Sequence, residues 1–319
     1  MRLILRIRAD SLHQWLPFPP ESWASHTLFG AGAPPQWRRG RSRAAHIYGR
    51  STFLASVRVP HSSMLRRLLL EKGCQSAATE QREACWAVRQ EYGEYSSHEH
   101  HSWKLLFDRR VGQLRDVASD RYFVGLEAVG LKAERLPRLD SLSARLALLC
   151  GWAIVPVRGF LPARTFFDSL SRRRFPSTTY IRDLNQRDYT PQPDIFHDIF
   201  GHIPLYTDFQ YRDFVRQIGR LSHSMQTEQQ IELLAQVYWF TVEFGLVREM
   251  GQTKVYGSGL ISSSADCALA LSSECERRPF NLKEVLAQPV EYDRLQTVLF
   301  EIDSFEQLSS IALELENLL

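Results

Sequence analysis

Residues 233–247 read LLAQVYWFTVEFGLV. Thr227-Glu228-Gln229-Gln230, just ahead of them, has the form of a capping box, in which a Thr and a Gln three residues later satisfy each other's free backbone donors. The pair predicts the start of a long helix reaching to about Leu246. Apolar and aromatic residues cover nearly every face of that helix, so it belongs inside a core. Glu243 is the exception. An ionised carboxylate in such surroundings costs several kcal/mol unless it is paired or bound to a metal. A bridging arginine and a metal ion are therefore the two readings of Glu243.

Outward from this run, helical signals dominate. Leu139–Leu149 has a Ser/Asp start, helically spaced leucines and Gly151 just beyond its end. Residues 162–173 predict another helix. Residues 207–222 predict an amphipathic one, with Phe209, Phe214, Val215, Ile218 and Leu221 on the apolar side. Residues 255–259 are loop-like, a helix follows from about Ser263, and Ser304–Leu318 form a last one. Strand character is confined to Thr179–Arg182 and Thr297–Ile302. No internal repeat is present. The fold class is mainly α: a single helical catalytic domain with a few short strands.

Residues 193–202, PDIFHDIFGH, carry two histidines five apart in an apolar segment. At about 100° per residue a regular helix would splay them by about 140°. Gly201, as a helix-ending residue, would let His202 turn back. A zinc-protease motif needs two histidines four apart, and Asp198 stands in place of its Glu, so both features argue against that chemistry. By itself the pair reads as two satisfied core histidines. With Glu243 it becomes a two-histidine, one-carboxylate set, the signature of non-haem Fe(II) oxygen chemistry. Asp194 stands three residues before His197 and is expected to accept from an imidazole N–H. No His-x-Asp triplet occurs, which argues against a 2-oxoglutarate-type oxygenase. His98, His100 and His101 lie in a polar stretch and read as surface or scaffold residues.

The stretches PDIFHDIFGHIPL, YWFTVEFGL and YGSGLISS resemble the pterin-dependent aromatic amino acid hydroxylases, the bacterial phenylalanine 4-hydroxylase branch above all. The likeness runs from about Tyr92 to about Leu313 with the motifs in order. It implies that His197, His202 and Glu243 hold Fe(II) and are the catalytic centre. It implies that Arg182, in TYIR, takes the substrate carboxylate, a planar fork meeting a planar anion. Thr190, Ser262 and Ser263 correspond to residues around the amino acid backbone and the iron ligands. Trp239 and Phe244 correspond to walls of the substrate pocket. The pterin side matches Gly159, Phe160, Leu161 and Phe166, with Asp198, Ala235 and Tyr238 near the same cofactor; an aromatic ring would stack on the bicyclic pterin. The implied cofactors are Fe(II) and a tetrahydropterin, tetrahydrobiopterin or a relative, which donates two electrons to O2.

Within the family, Trp at the position of Trp239 accompanies phenylalanine and tyrosine hydroxylases. The resemblance therefore favours conversion of L-phenylalanine to L-tyrosine over a tryptophan hydroxylase or a phenylalanine 3-hydroxylase. Three positions depart from the pattern. Gln192 replaces a Glu, Phe160 replaces the first Leu of GLL, and Ser258 replaces the Ala of YGAG. The first two, with the unusual N-terminal segment, motivate an alternative of another class, an inactive iron- or pterin-binding protein. Animal members tetramerise through a long C-terminal helix, which Ser304–Leu319 is too short to supply, so a monomer or weak dimer is expected.

Charge is distributed unevenly. Residues 1–73 hold twelve Lys/Arg against three Asp/Glu, a local excess of nine positive charges, which leaves the remainder at −6 within an overall +3. Residues 1–90, mixing Pro, Gly, Ser and Arg without periodicity, are expected to be a basic, loosely ordered N-terminal extension, and 91–319 the catalytic domain. A transit peptide and a nucleic-acid-binding arm are the functional readings of such a segment. A leader upstream of a later start at Met64 is the plainer one, and neither nucleic acid nor membrane is expected as a partner. The 5 cysteines form an odd set without a CxxC pair. That set argues against a disulfide framework and suits a reducing compartment, so a cytoplasmic protein is expected.

Overall fold

Ser96 opens the first long helix: its hydroxyl accepts from the Glu99 amide while the Glu99 carboxylate accepts from the Ser96 amide. This helix, α1 (Ser97–Leu114), buries Trp103, Leu106, Phe107, Arg110 and Leu114 at spacings of three and four. The computed structural model describes residues 86–184, 193–290 and 296–318, so most of the basic extension lies outside the described residues. Helix α2 (Asp120–Val129) ends at Gly130 with φ 67°, and α3 (Leu139–Cys150) ends at Gly151 with φ 76°. These left-handed positions are ones that a residue without Cβ adopts at no steric cost. The expected Ser/Asp start of α3 is not a cap, because Arg138 precedes the helix and makes no side-chain capping bond.

Strand β1 (Ala153–Val157), helix α4 (Ala163–Ser171) and strand β2 (Arg174–Thr178) follow, and the two strands pair in parallel. The strand expected at 179–182 is therefore displaced toward the N-terminus. Beyond Thr178 the backbone is engaged by another segment: Tyr180 O accepts from Ile195 N–H, and the Arg182 amide donates to Asp194. A π-helical segment, Phe196–His202, and a 3-10 turn, Ile203–Thr207, lead into α5 (Phe209–Leu221). Phe209 does not join its apolar face. It is 60% exposed and lies under the Arg212 guanidinium, while Tyr211 is buried with Phe214, Val215 and Ile218.

Helix α6 (Glu228–Tyr238) carries the expected Thr227/Gln230 capping box. It ends earlier than the apolar run suggests, passing into a second π-helical segment, Trp239–Glu243. Strands β3 (Leu246–Glu249) and β4 (Gln252–Val255) form a hairpin whose turn residues, Met250 and Gly251, both have positive φ. That is the primed turn matching the twist of two-residue hairpins. Short helices α7 (Ser258–Ser262) and α8 (Ser264–Ala270) follow, then β5 (Glu276–Pro279), α9 (Leu282–Ala287), β6 (Val298–Ile302) and α10 (Gln307–Leu318). The sheet order is β4-β3-β6-β5, with β6 parallel to both of its neighbours.

The core is aromatic where the helices meet. Phe196 and Phe200 stack at 4.6 Å, with Trp103 edge-on to Phe196 at 5.5 Å and Phe107 edge-on to Phe200 at 5.2 Å. Burying such side chains contributes roughly 1.5–3 kcal/mol each. The segment bearing the two histidines is thus a central piece of the core. Among the described residues no helix is long and apolar enough to cross a membrane.

Candidate metal centre and substrate pocket

The two π-helical segments do what a regular helix could not. In an i→i+5 bonding pattern, residues five apart lie on one face, so His197 and His202 point the same way and their Nε2 atoms are 3.2 Å apart. Gly201 does not end the helix. Its role is close approach, since a Cβ there would sit 2.9 Å from the Ser258 carbonyl oxygen. On the facing element the wide turn closes with the Phe244 amide donating to Trp239 O. This turn aims Glu243 at the histidines: Oε1 lies 3.3 Å from His202 Nε2 and Oε2 lies 3.5 Å from His197 Nε2.

One donor atom from each of His197, His202 and Glu243 falls within a span of 4.8 Å. Their protonation fits a metal. Burial holds His197 down at about 4, in its neutral form. Burial alone would raise the Glu243 carboxyl, but His202, His197 and a Ser258 hydroxyl bond reverse this and hold it at about 2. A neutral imidazole and an ionised carboxylate are the forms that ligate. The donor set suits a divalent first-row metal with positions left for other ligands.

Helix α7 supports this group. Ser262 Oγ lies 2.8 Å from His197 Nδ1, and one turn earlier Ser258 Oγ donates to Glu243 Oε2 at 2.7 Å. The end of α7 is held in turn by buried Arg110, whose Nε and Nη2 donate to the carbonyls of Ile261 and Leu260. Phe175 packs on the His202 ring at 4.8 Å. His202 Nδ1 is buried without a hydrogen-bond partner among the described residues.

Asp194 differs from expectation. Among the described residues it accepts no imidazole N–H; its carboxylate takes the amides of Arg182 and His197 and the Arg182 guanidinium. The reason is geometric: His197 lies in the first turn of the π segment with its ring turned toward Ser262, and its amide faces Asp194. Arg182 is only 4% exposed, and its Nε and Nη2 are used by Asp194, so Nη1 is the nitrogen not engaged by that carboxylate. Asp198 is engaged by the end of strand β2. It accepts from Thr178 N–H and Oγ1 at 2.7 and 2.8 Å, and burial pushes its carboxyl up to about 7.

The aromatic residues divide between two places. Trp239 and Phe244 lie 4.7 Å apart at a 34° tilt, both half-buried. Phe166, on α4, meets Tyr238 edge-on at 5.6 Å, and Ala235 lies on the same face of α6 as Tyr238. The Tyr238 hydroxyl is buried without a hydrogen-bond partner among the described residues. An aromatic edge beside an orphaned hydroxyl suits a flat heterocycle with polar edges. Leu161 is buried, Gly159 half-buried and Phe160 37% exposed, all on the loop before α4. Ser263 caps α8 by accepting from the Asp266 amide. Thr190 and Gln192 lie outside the described residues.

Sequence reasoning missed Thr178, Phe175 and Arg110. Thr178 and Phe175 reach the site only through the pairing of β2, which no local pattern encodes. Arg110 left a faint signal, a basic residue at an apolar-face position of α1.

Residues 86–315 match the family described as biopterin-dependent aromatic amino acid hydroxylase. The chain is 36% identical over 224 residues to a phenylalanine-4-hydroxylase of Ralstonia nicotianae, covering 70% of this chain and 72% of that one. It is 37% identical over 227 residues to a phenylalanine-4-hydroxylase of Mesorhizobium japonicum, covering 70% and 82%. Its fold is similar to phenylalanine hydroxylase from Chromobacterium violaceum, solved with bound iron(III) and the oxidised cofactor 7,8-dihydrobiopterin. The TM-score is 0.68 at 34% identity, covering 72% of this chain and 86% of that one.

Proposed function

The chain belongs to the biopterin-dependent aromatic amino acid hydroxylase family, and from that premise we propose that it hydroxylates free L-phenylalanine to L-tyrosine, using Fe(II), a tetrahydropterin and O2. The observation that carries the reading is the convergence of His197, His202 and Glu243, within the matched residues, on one buried point. The relatives named phenylalanine-4-hydroxylase support phenylalanine as substrate.

Iron and pterin together supply the activation of O2 and the two electrons it requires. The chain's own residues do the rest. His197, His202 and Glu243 hold the metal, and the Ser262 hydroxyl beside His197 Nδ1 fixes that ring's orientation. Arg182, braced by Asp194, offers Nη1 to the substrate carboxylate. Trp239 and Phe244 close an apolar wall around a single six-membered ring, keep water from it, and leave little room for an indole. Phe166, Ala235 and Tyr238 form the face against which the pterin lies, with Gly159, Phe160 and Leu161 at its edge. The reading retains a monomer or weak dimer. It also retains the cytoplasm, which the free thiols of Cys150, Cys267 and Cys275 support.

Purified protein incubated with Fe(II), tetrahydropterin and O2 and with Phe, Tyr or Trp in separate reactions tests the proposal. Tyrosine formed from phenylalanine, identified by mass spectrometry, is the expected product. Iron bound at one equivalent with no hydroxylated product from any of the three would overturn it in favour of a binding protein. A meta-hydroxylated product or 5-hydroxytryptophan would reassign the substrate or ring position.

A further inference from the structure

We propose that Ser258 is a positioning residue for Glu243, its hydroxyl holding Oε2 so that the carboxylate is presented to the metal in one fixed orientation. The inference rests on the metal-centre reading above. Ser258 is fully buried and its hydroxyl has two acceptors in reach, Glu243 Oε2 at 2.7 Å and the Val242 carbonyl at 3.2 Å. The shorter contact is to the charged oxygen, which forms the stronger bond. Glu243 Oε1 faces the His202 ring and takes no hydroxyl donor among the described residues, so the two carboxylate oxygens have chemically different partners.

The donor is itself rigidly placed. Ser258 packs against Gly201, the residue just before His202, and its helix is tied at the far end by Arg110. The same helix reaches His197 through Ser262 one turn later. One short helix therefore steers two of the three ligands, and the hydroxyl on Glu243 comes from the position where the family pattern has Ala.

Losing a group that orients a ligand costs about 10–100-fold in metal affinity. The test is Co(II) titration of apo-protein by calorimetry in four chains: wild type, Ser258→Ala, Glu243→Gln, and the double variant. Ala is the family's own residue here and leaves the fold intact, which the apo-protein melting temperature checks. We expect Ser258→Ala to weaken Co(II) binding at least tenfold, and to change it less than twofold when Glu243 is already Gln. Wild-type-like affinity in Ser258→Ala overturns the assignment and leaves the metal centre standing. An equal loss in both backgrounds also overturns it, because Ser258 would then act on the fold and not through Glu243. Failure of the wild type to bind Co(II) overturns the metal-centre reading and this inference with it.

Discussion

Both oxygens of Asp194 are occupied, Oδ2 by the Arg182 amide and Nε and Oδ1 by Arg182 Nη2 and the His197 amide. Burial would raise this carboxyl, but Arg182 and the two amides outweigh it and hold it below the usual carboxylate range. A depressed native pKa stabilises the fold at pH above the unfolded value and loses that contribution as pH falls through the native one. Wild-type unfolding free energy should therefore drop below about pH 4, and Asp194→Asn should flatten that part of the profile. The same variant leaves Arg182 buried and uncompensated, so urea denaturation at neutral pH should show a loss of about 3–5 kcal/mol. Glu243→Ala is the second prediction at this scale. It should abolish iron-dependent turnover, and activity retained in that variant would sink the ligand assignment.

At the scale of elements, the π segments are where function enters the helices. Each holds one more residue per turn than its neighbours expect, and each is braced by close backbone approach. Gly201→Ala would push a Cβ to within 2.9 Å of the Ser258 carbonyl. Overpacking of this kind costs about 1–3 kcal/mol. Because α7 would have to retreat, Co(II) affinity should fall together with stability. Thr227→Ala is the contrasting case. It removes an exposed capping box, which should cost about 1 kcal/mol in chemical denaturation and leave metal affinity unchanged. A matching loss of metal affinity there would mean that α6 transmits strain to Glu243.

Across the whole molecule, core and site are one construction. Phe175 comes from a strand, touches the rings of His202, Phe166 and Tyr206, and is buried. Phe175→Ala should lose about 3–5 kcal/mol and weaken metal binding as well, since the cavity opens directly beside a ligand. Differential scanning calorimetry with and without Co(II) measures both. If the metal-induced rise in melting temperature matched wild type, the ring would be packing alone. Arg121 joins distant parts of the body at the surface, reaching Asp208 before α5 and Glu306 before α10. The first pair is part-buried and the second exposed, and the exposed one contributes little by comparison.

Much of this was legible in the amino-acid order. The Thr227/Gln230 cap, Gly151 beyond α3, the buried Glu243 and the paired histidines are local patterns, and local patterns follow from backbone chemistry and periodicity. That Glu243 needs a partner could be read because a lone carboxylate in an apolar run demands one, while the choice of a metal over an arginine came with the two histidines and the family resemblance. The order could not reveal how the histidines share a face, since the choice between α and π bonding is made by packing against α7 and not by propensity. Nor could it show that Asp194 serves Arg182 in place of an imidazole, or that Ser258 reaches Glu243 across 15 residues of chain. The sequence by itself determined which groups must be buried and charged. Tertiary structure alone decided which of them meet, because hydrogen bonds between segments depend on where the chain returns, and that is set by the whole core.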